Sequence, residues 1–189
     1  QHYGDGVALA KDIAHALNKE MRFLQDMGCE AVQLIDVLPP YTTDMWQIEC
    51  QQIMWEGINM IKFWHICYGS VDGQRDVFDN HAQAMMPLFR ESPADVIHVE
   101  MTNKDFVELD AFAEFPQDKV LGVGVVDAKN TMVESVETIA DRIRRCLKVV
   151  PADRLLVSPD CGLGYFSRTT AYAKLRNMGQ AADAVSKAL

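Results

Sequence analysis

The chain has 189 residues, of which 49% are apolar and 24% charged, an ordinary globular balance without the run of about 20 apolar residues that a membrane-spanning helix needs. Its net charge of −9, without a basic stripe, excludes nucleic acid as an expected partner. Five cysteines at irregular spacing favour reduced thiols in a cytoplasmic protein over a disulfide framework.

Helical and strand patterns alternate along the chain. An apolar stripe at helical spacing predicts a first helix that ends at Gly28, and the apolar run at 31–35 predicts the first strand. The second predicted strand carries His65 and Cys67, and the third ends at Glu100. The remaining predicted elements are helices at about 45–60, 77–91, 103–113, 136–147 and 169–187, and strands at 119–126 and 154–157.

This alternation predicts an α/β fold, in which right-handed crossovers join the strands of a parallel sheet. The candidate functional residues fall at the carboxyl ends of strands, where (β/α)8 barrels of the TIM type carry their active sites. Five strands are predicted, whereas a complete barrel has eight and typically about 250 residues. Three explanations stay open: the chain is a fragment, residues are absent from the sequence, or the other strands come from elsewhere.

Four side chains at strand ends are candidate metal ligands: His65, Cys67, Glu100 and Cys161. His65 and Cys67 are two residues apart, so in a strand both point to the same side and can bind one ion. Nitrogen and sulfur ligands favour zinc among the common cellular metals. Ligands from the ends of separate strands indicate a reaction site, because a structural zinc site more often has CxxC pairs.

The same residues also have a simpler interpretation, since buried histidines and free cysteines are common in protein cores. Glu100 favours the metal site, because a carboxylate at the end of an apolar strand is costly to bury without a partner. On residue chemistry alone, both a metal site and a set of core residues stay open.

Four stretches of the chain resemble, in the same order, the C-terminal catalytic barrel of the cobalamin-independent methionine synthases. They are His-Ile-Cys-Tyr-Gly (65–69), Asp-Val-Ile-His-Val-Glu (95–100), Leu-Gly-Val-Gly-Val-Val-Asp (121–127) and Val-Ser-Pro-Asp-Cys-Gly-Leu-Gly (157–164). The similarity runs from about residue 7 to the end of the chain. The resemblance implies that residues 1–189 are the C-terminal part, roughly five strand–helix units, of a single (β/α)8 barrel.

The resemblance also implies a metal site and a reaction. It implies that Zn²⁺ is bound by His65, Cys67, Glu100 and Cys161, and that a methyl group is transferred to homocysteine to give methionine. A free thiol has a pKa of about 8.5, whereas coordination to zinc makes it a thiolate that can attack an alkyl carbon. A further hypothesis gives Glu100, the hardest ligand, a catalytic role as the ligand that yields when substrate enters.

The chain departs from the family pattern at three places. Where the family has Asp-Glu-Pro, whose Asp binds the amino group of homocysteine, this chain offers Asp36 after a one-residue shift, and Val37 replaces the Glu. Where full-length members have a His thought to protonate the folate leaving group, this chain has Lys129, for which an ion pair with Asp127 is the simpler interpretation. The third departure is a longer segment at 70–93.

These departures leave a second thiol substrate open. The epoxyalkane:coenzyme M transferases are similar to this family and open an epoxide with zinc-activated 2-mercaptoethanesulfonate, the thiol called coenzyme M. Lys129 or Arg168 could pair with its sulfonate. Two further classes are a non-enzymatic zinc-binding module and a corrinoid methyltransferase of the uroporphyrinogen-decarboxylase type. The alkyl donor, a folate, a corrinoid or an epoxide, is not specified by the sequence.

Two aspartates lie beside the predicted mouth of the barrel. Asp127 is a candidate catalytic residue, and Asp160 is a candidate substrate-binding residue that could also orient His65 or a neighbouring backbone group. The alternative for Asp160 is an aspartate that closes a strand-to-loop turn. Among the other histidines, His98 shares a strand face with Glu100.

Overall fold

Five strands form one parallel sheet whose order in space follows the chain. The computed structural model describes residues 3–36, 44–67 and 81–189. The strands are β1 (Ala31–Asp36), β2 (Ile61–Ile66), β3 (Val96–Val99), β4 (Val120–Val126) and β5 (Leu155–Pro159), and each pairs in parallel with the next. The α-helices are α1 (Gly6–Asp26), α2 (Trp46–Met54), α3 (His81–Glu91), α4 (Val136–Cys146) and α5 (Arg168–Ser186). The predicted α/β alternation is confirmed.

The first and last helices each begin after a side chain that caps the helix N-terminus, and α1 ends just before a glycine. α1 follows Asp5, whose carboxylate accepts a hydrogen bond from the N–H of Ala8 at 2.7 Å. α5 follows Ser167, whose hydroxyl accepts from the N–H of Thr170 at 3.2 Å. Just beyond α1 lies Gly28 with φ +91°, a conformation that favours glycine, so the predicted helix end is confirmed.

The predicted helix at 103–113 is wrong. Two short 3-10 helices, Thr102–Lys104 and Leu109–Glu114, occupy this connection instead. Between them, Asp105 and Phe106 have φ values of +51° and +61°. This left-handed backbone cannot continue a right-handed α-helix, so the segment is divided into two turns.

α2 is also shorter than the helix predicted at 45–60, because it ends at Met54 and the chain turns at Gly57 with φ +70°. Arg22 of α1 passes so close that a Cβ at Gly57 would lie 2.6 Å from its Nη2. The same Nη2 donates a hydrogen bond to the carbonyl of Glu56 at 2.7 Å, which fastens α1 to this turn.

The two faces of the sheet have different roles, because alternate residues of a strand point to opposite sides. Trp64 of β2 faces the helices and packs against Phe89, which in turn contacts Phe112 and Phe115. Burial of each such side chain stabilises the fold by about 1.5–3 kcal/mol. His65, the next residue of β2, faces the opposite side, where the sheet borders a cavity of about 430 Å³.

The described part of the chain is an open sheet. Within residues 3–36, 44–67 and 81–189, β1 and β5 each have a neighbouring strand on one side only. Among the same residues, no helix has both the length and the apolar character that crossing a bilayer requires. Residues 37–40 and 70–80, which include Val37 and part of the longer segment noted in the sequence, lie outside the described residues.

Candidate metal centre

The four candidate ligands meet at the carboxyl edge of the sheet. His65 lies near the end of β2, and Cys67 follows that strand directly. Glu100 follows β3, and Cys161 lies just beyond β5. One ligand atom from each residue lies within 4.8 Å of the other three. The structure therefore brings together side chains that are up to 96 positions apart in the sequence (161 − 65).

The donor atoms of this cluster fit a metal ion. His65 is 2% exposed and Glu100 is fully buried. Within the described residues, Nε2 of His65 and Oε2 of Glu100 are buried without a hydrogen-bond partner. Because buried polar atoms are nearly always paired, these two atoms indicate a missing partner that an ion would supply. One nitrogen, two sulfurs and one carboxylate oxygen form a donor set typical of zinc.

Lys129 lies beside Glu100, with its Nζ 3.4 Å from Oε1. Burial raises the pKa of Glu100 to about 9, although the positive charge of Lys129 acts in the opposite direction. The pKa of Lys129 is also raised: burial acts to lower it, but Glu100, Cys67 and Cys161 together outweigh that effect. The ammonium of Lys129 therefore contacts Glu100, whereas the sequence had suggested Asp127, which instead accepts a hydrogen bond from the backbone N–H of Lys129.

The two thiols of the cluster influence each other. The neighbouring Cys67 thiol lowers the pKa of Cys161 to about 6, against the effect of burial. The backbone N–H of Gly162 also lowers it. Both cysteines are half-buried, and none of the five cysteines, all of which lie within the described residues, forms a disulfide. This environment favours the thiolate, the form in which cysteine binds metal.

His98 lies next to His65 on the inner face of the sheet and was noted in the sequence only for its strand face. The two residues are direct neighbours in the pairing of β2 with β3, and their Nδ1 atoms are hydrogen-bonded. Nε2 of His98 lies 2.5 Å from the hydroxyl of Ser158. Burial lowers the pKa of His98 to about 3, and the proximity of His65 adds to this effect. Sequence reasoning missed Ser158 as a contributor to the site.

Asp160 holds the loop that follows Glu100. Its Oδ1 accepts hydrogen bonds from the N–H groups of Met101 and Thr102 at 3.1 and 3.0 Å, and its Oδ2 accepts from Asn103 at 3.1 Å. Burial raises the pKa of Asp160 to about 6, although these backbone donors act to lower it. Gly124 makes this position possible, because a Cβ there would clash with Oδ1 and would lie 2.6 Å from the backbone Cα of Asp160.

Asp127 shapes the loop that carries Lys129. Its carboxylate accepts a hydrogen bond from the backbone N–H of Lys129 at 2.6 Å and another from the side chain of Asn130. Its own N–H donates to Glu134 at 2.7 Å. Glu134 in turn pairs with Lys174 of α5 at 2.9 Å, and both side chains are buried. The sequence did not reveal this ion pair, whose two partners are 40 positions apart and share no local pattern.

Two other residues considered from the sequence lie around the cluster. Asp36 ends β1, and its carbonyl accepts a hydrogen bond from the N–H of Cys67 at 2.9 Å. Burial raises the pKa of the Asp36 carboxyl, against a weaker effect of the Trp64 indole. Arg168 begins α5 and donates a hydrogen bond to the hydroxyl of Tyr172 at 3.1 Å.

A comparison with protein families places this site in a known context. A family model described as the catalytic domain of the cobalamin-independent synthases matches residues 61–184. The chain belongs to this family. The matched stretch contains all four candidate ligands, and the resemblance seen in the four sequence motifs is confirmed.

Curated proteins named methionine synthase match the chain over its whole length. The methionine synthases of Saccharolobus solfataricus and Pyrococcus furiosus are 30% and 31% identical to it, and the matches span 100% of this chain but 54% and 53% of those proteins. A B12-independent methionine synthase from Shewanella sp. W3-18-1, solved in complex with selenomethionine, matches with a TM-score of 0.89 and 27% identity. That match covers 99% of this chain and 57% of the Shewanella chain.

The chain thus spans about half the length of the curated relatives it matches. The predicted fold class, an α/β structure of the (β/α)8 type of which the chain covers a part, is confirmed by the Shewanella structure and by the parallel sheet.

Proposed function

We propose that this chain carries the zinc centre of a cobalamin-independent methionine synthase and that the reaction is methyl transfer to the sulfur of homocysteine. The observation that carries the proposal is the convergence of one imidazole, two thiols and one carboxyl group within 4.8 Å at the carboxyl edge of the sheet. Active sites of (β/α)8 enzymes lie at this edge. Membership of the family and the relatives named methionine synthase support the same reaction.

Each residue of the cluster has a proposed role. His65, Cys67, Glu100 and Cys161 hold the ion, and zinc, when bound, supplies the Lewis acidity that keeps a substrate thiol deprotonated at neutral pH. Glu100 is the proposed labile ligand, because Lys129 at 3.4 Å offers its carboxylate a second partner. Lys129 also places a positive charge beside the two cysteines, which favours their thiolate forms.

Three aspartates are proposed to act around the ligands. Asp127 positions Lys129 through its backbone N–H and so contributes to catalysis without contacting the ion. Asp36, at the end of the strand next to Cys67, is the candidate that the sequence offers for binding the amino group of homocysteine. Its carboxyl lies beside the indole of Trp64, so this role requires the side chain to turn toward the cavity. Asp160 contributes to substrate binding by holding residues 101–103, the loop that begins directly after Glu100.

We infer that residues 1–189 are the C-terminal part of one barrel and that further strands close the cavity on the inner face of the sheet. The unpaired edges of β1 and β5 within the described residues support this inference. So does the match to about half of each relative. The closing strands would contribute the remainder of the pocket for homocysteine and for the methyl donor.

Calorimetry of the zinc-loaded chain tests the proposal. The chain is titrated with homocysteine and, separately, with 2-mercaptoethanesulfonate in two buffers of different ionisation enthalpy. We expect homocysteine to bind with release of about one proton, because a thiol must deprotonate to coordinate zinc. Cys161→Ser should abolish this binding, and Cys29→Ser, at an exposed thiol, is the matched control.

The other outcomes separate the remaining interpretations. Preference for the sulfonate thiol would favour epoxide opening over methionine synthesis. Tight zinc without binding of either thiol would contradict methyl transfer by this chain. The role of Glu100 has its own test, because Glu100→Gln should retain much of the zinc while losing methyl transfer. Complete loss of the metal in that variant would contradict a labile role.

A further inference from the structure

A line of hydrogen bonds runs from His65 into the protein interior. Nδ1 of His65 bonds to Nδ1 of His98, and the two rings are inclined by 26° with their centroids 4.5 Å apart. Nε2 of His98 bonds to the hydroxyl of Ser158 at 2.5 Å. That hydroxyl lies 3.0 Å from the carbonyl oxygen of Pro159, where the line ends. Side chains of β2, β3 and β5 are therefore connected beneath the candidate metal centre.

The end of this line determines its direction. A carbonyl oxygen can only accept, so the Ser158 hydroxyl donates its hydrogen to Pro159 and accepts from Nε2–H of His98. A neutral imidazole carries one N–H, so Nδ1 of His98 must be an acceptor. A charged His98 would be costly, because it is 7% exposed and its partners, the His65 imidazole, the Ser158 hydroxyl and the Pro159 carbonyl, carry no net negative charge. Nδ1 of His65 is then the donor.

We propose that His98 and Ser158 are positioning residues that hold His65 in its Nδ1–H tautomer and thereby present the lone pair of Nε2 to the metal. Nε2 of His65 is the ring nitrogen that, within the described residues, is buried without a hydrogen-bond partner. The inference deepens the proposed function, because it rests on a metal being held by His65. It adds that the orientation of His65 is set by His98 and Ser158, two residues that are not among the four candidate ligands.

The neighbouring strand β4 has a glycine at the position that faces His98. In the pairing of β3 with β4, His98 lies opposite Gly122. A Cβ at Gly122 would lie 3.2 Å from three atoms of His98, namely Cα, Cβ and Cδ2, which is tighter than ordinary contact. Glycine at this position therefore leaves room for the ring that reaches from His65 to Ser158.

The first test uses the metal-free chain and nitrogen NMR of its histidine rings. We expect His65 to be the Nδ1–H tautomer in the wild-type chain. His98→Asn should preserve it, because the amide oxygen can accept the same hydrogen bond, whereas His98→Leu should remove the preference. An Nε2–H tautomer in the wild-type chain would overturn the proposal, whichever of the variants folds.

The second test is zinc affinity, measured by competition with a chelator. His98→Leu should weaken binding about 10–100-fold, the usual cost of losing a partner that orients a ligand. Ser158→Ala should weaken it less, His98→Asn should restore most of it, and His15→Leu, on α1 away from the site, should leave it unchanged. Wild-type affinity in a folded His98→Leu variant would overturn the proposal.

The two measurements separate the inference from the proposed function. If the wild-type chain binds no zinc but shows the Nδ1–H tautomer, the metal-dependent function fails and the hydrogen-bonded line stands. If zinc binds and the tautomer is Nε2–H, the metal site stands and the positioning role fails.

Discussion

The central strand β3 and the edge strand β1 have similar apolar sequences but different environments. All four residues of β3 are buried, whereas β1 alternates between half-buried and exposed positions. Ile97 of β3 is 0% exposed, and Ile35 of β1 is 59% exposed. β3 has a strand on each side, while β1 has one neighbour within the described residues. The comparison shows that the burial of an apolar strand depends on its neighbours as much as on its own residues.

The same contrast applies to the candidate metal centre. His65 lies in the central strand β2 and Glu100 directly follows the central strand β3, and both are buried. Cys161 follows the edge strand β5 and is half-buried; Cys67, after β2, is half-buried as well, so the contrast does not extend to it. The candidate nitrogen and oxygen ligands therefore lie in the interior of the sheet, whereas the thiol of Cys161 approaches them from its edge. Four measurements would test whether the centre and the margin differ as described.

The largest expected effect comes from truncating matched isoleucines. Ile97→Ala should lower the free energy of unfolding by about 2–5 kcal/mol, because it leaves a cavity in a closed core. Ile35→Ala should change it by less than about 0.5 kcal/mol, because that side chain is already exposed to solvent. Urea unfolding followed by circular dichroism gives both values. An equal loss of unfolding free energy in the two variants would contradict the difference between β3 and β1. A loss for Ile35→Ala that appears only in a longer chain, whose further strands cover β1, would support it.

A second prediction concerns two glycines, one in the centre of the sheet and one in a peripheral helix. Gly124→Ala should destabilise the protein by about 3 kcal/mol, because its Cβ would lie 2.6 Å from backbone Cα of Asp160. Gly179→Ala in α5 meets nothing within 4 Å and should stabilise the helix by about 0.5–1 kcal/mol. Thermal unfolding of both variants measures the difference, and a tolerated Gly124→Ala would mean that Asp160 can move.

Zinc should stabilise the chain by connecting the margin of the sheet to its centre. Free zinc at about 100 times its dissociation constant should raise the free energy of unfolding by about 2.7 kcal/mol. Cys161→Ser should lose most of this gain, since it removes the ligand supplied beyond β5, while Cys29→Ser should keep it. Chemical unfolding with and without zinc measures the gain, and the same gain in the Cys161→Ser chain would remove that residue from the site.

The smallest predicted effect is a dependence of stability on pH at Glu134. Burial acts to raise the pKa of Glu134, but the N–H of Asp127 and the ammonium of Lys174 outweigh it and leave the pKa below 4.5. A lowered pKa in the folded state means that this residue stabilises the protein above about pH 4.5 and progressively less as the pH falls.

Unfolding free energies from roughly pH 3 to 6 check this prediction. The difference between the wild-type chain and Glu134→Gln should shrink toward acid pH. A constant difference would show that Glu134 and Lys174 do not act as a charged pair. This pair connects the loop after the central strand β4 to α5, which follows the edge strand β5, so its contribution measures one link between the centre and the edge of the sheet.

The candidate ligands were accessible from the sequence because parallel strands bring their carboxyl ends to one edge. These patterns placed an imidazole, two thiols and a carboxylate at that edge. Residue chemistry left open whether they share an ion, and the family resemblance then implied that they do. His98 could be noted only by its strand face. Its hydrogen bonds to His65 and Ser158 depend on the register of the strands and on a glycine opposite it, neither of which has a local pattern.

The wrong helix at 103–113 and the contacts that the sequence did not reveal have equally specific causes. The left-handed backbone of Asp105 and Phe106 could not be predicted, because neither residue is glycine and the surrounding segment has helical spacing. The contact of the Lys129 ammonium with Glu100, in place of Asp127, depends on the path of the loop that follows β4. The buried pair of Glu134 with Lys174 joins the loop before α4 to α5, and neither segment has a sequence pattern that indicates a buried ion pair.

The positions of Cys67 and Cys161 also measure the curvature of the sheet. Two strands separate β2 from β5, and in a flat sheet three steps of about 4.8 Å would hold their backbones about 14 Å apart. The ligand atoms of the two cysteines nevertheless lie within 4.8 Å. The sheet must therefore bend into an arc whose concave side draws its carboxyl edge together. Any substitution that flattens this arc would move the two sulfur atoms apart, so the ease with which they form a disulfide would report on the shape of the whole sheet.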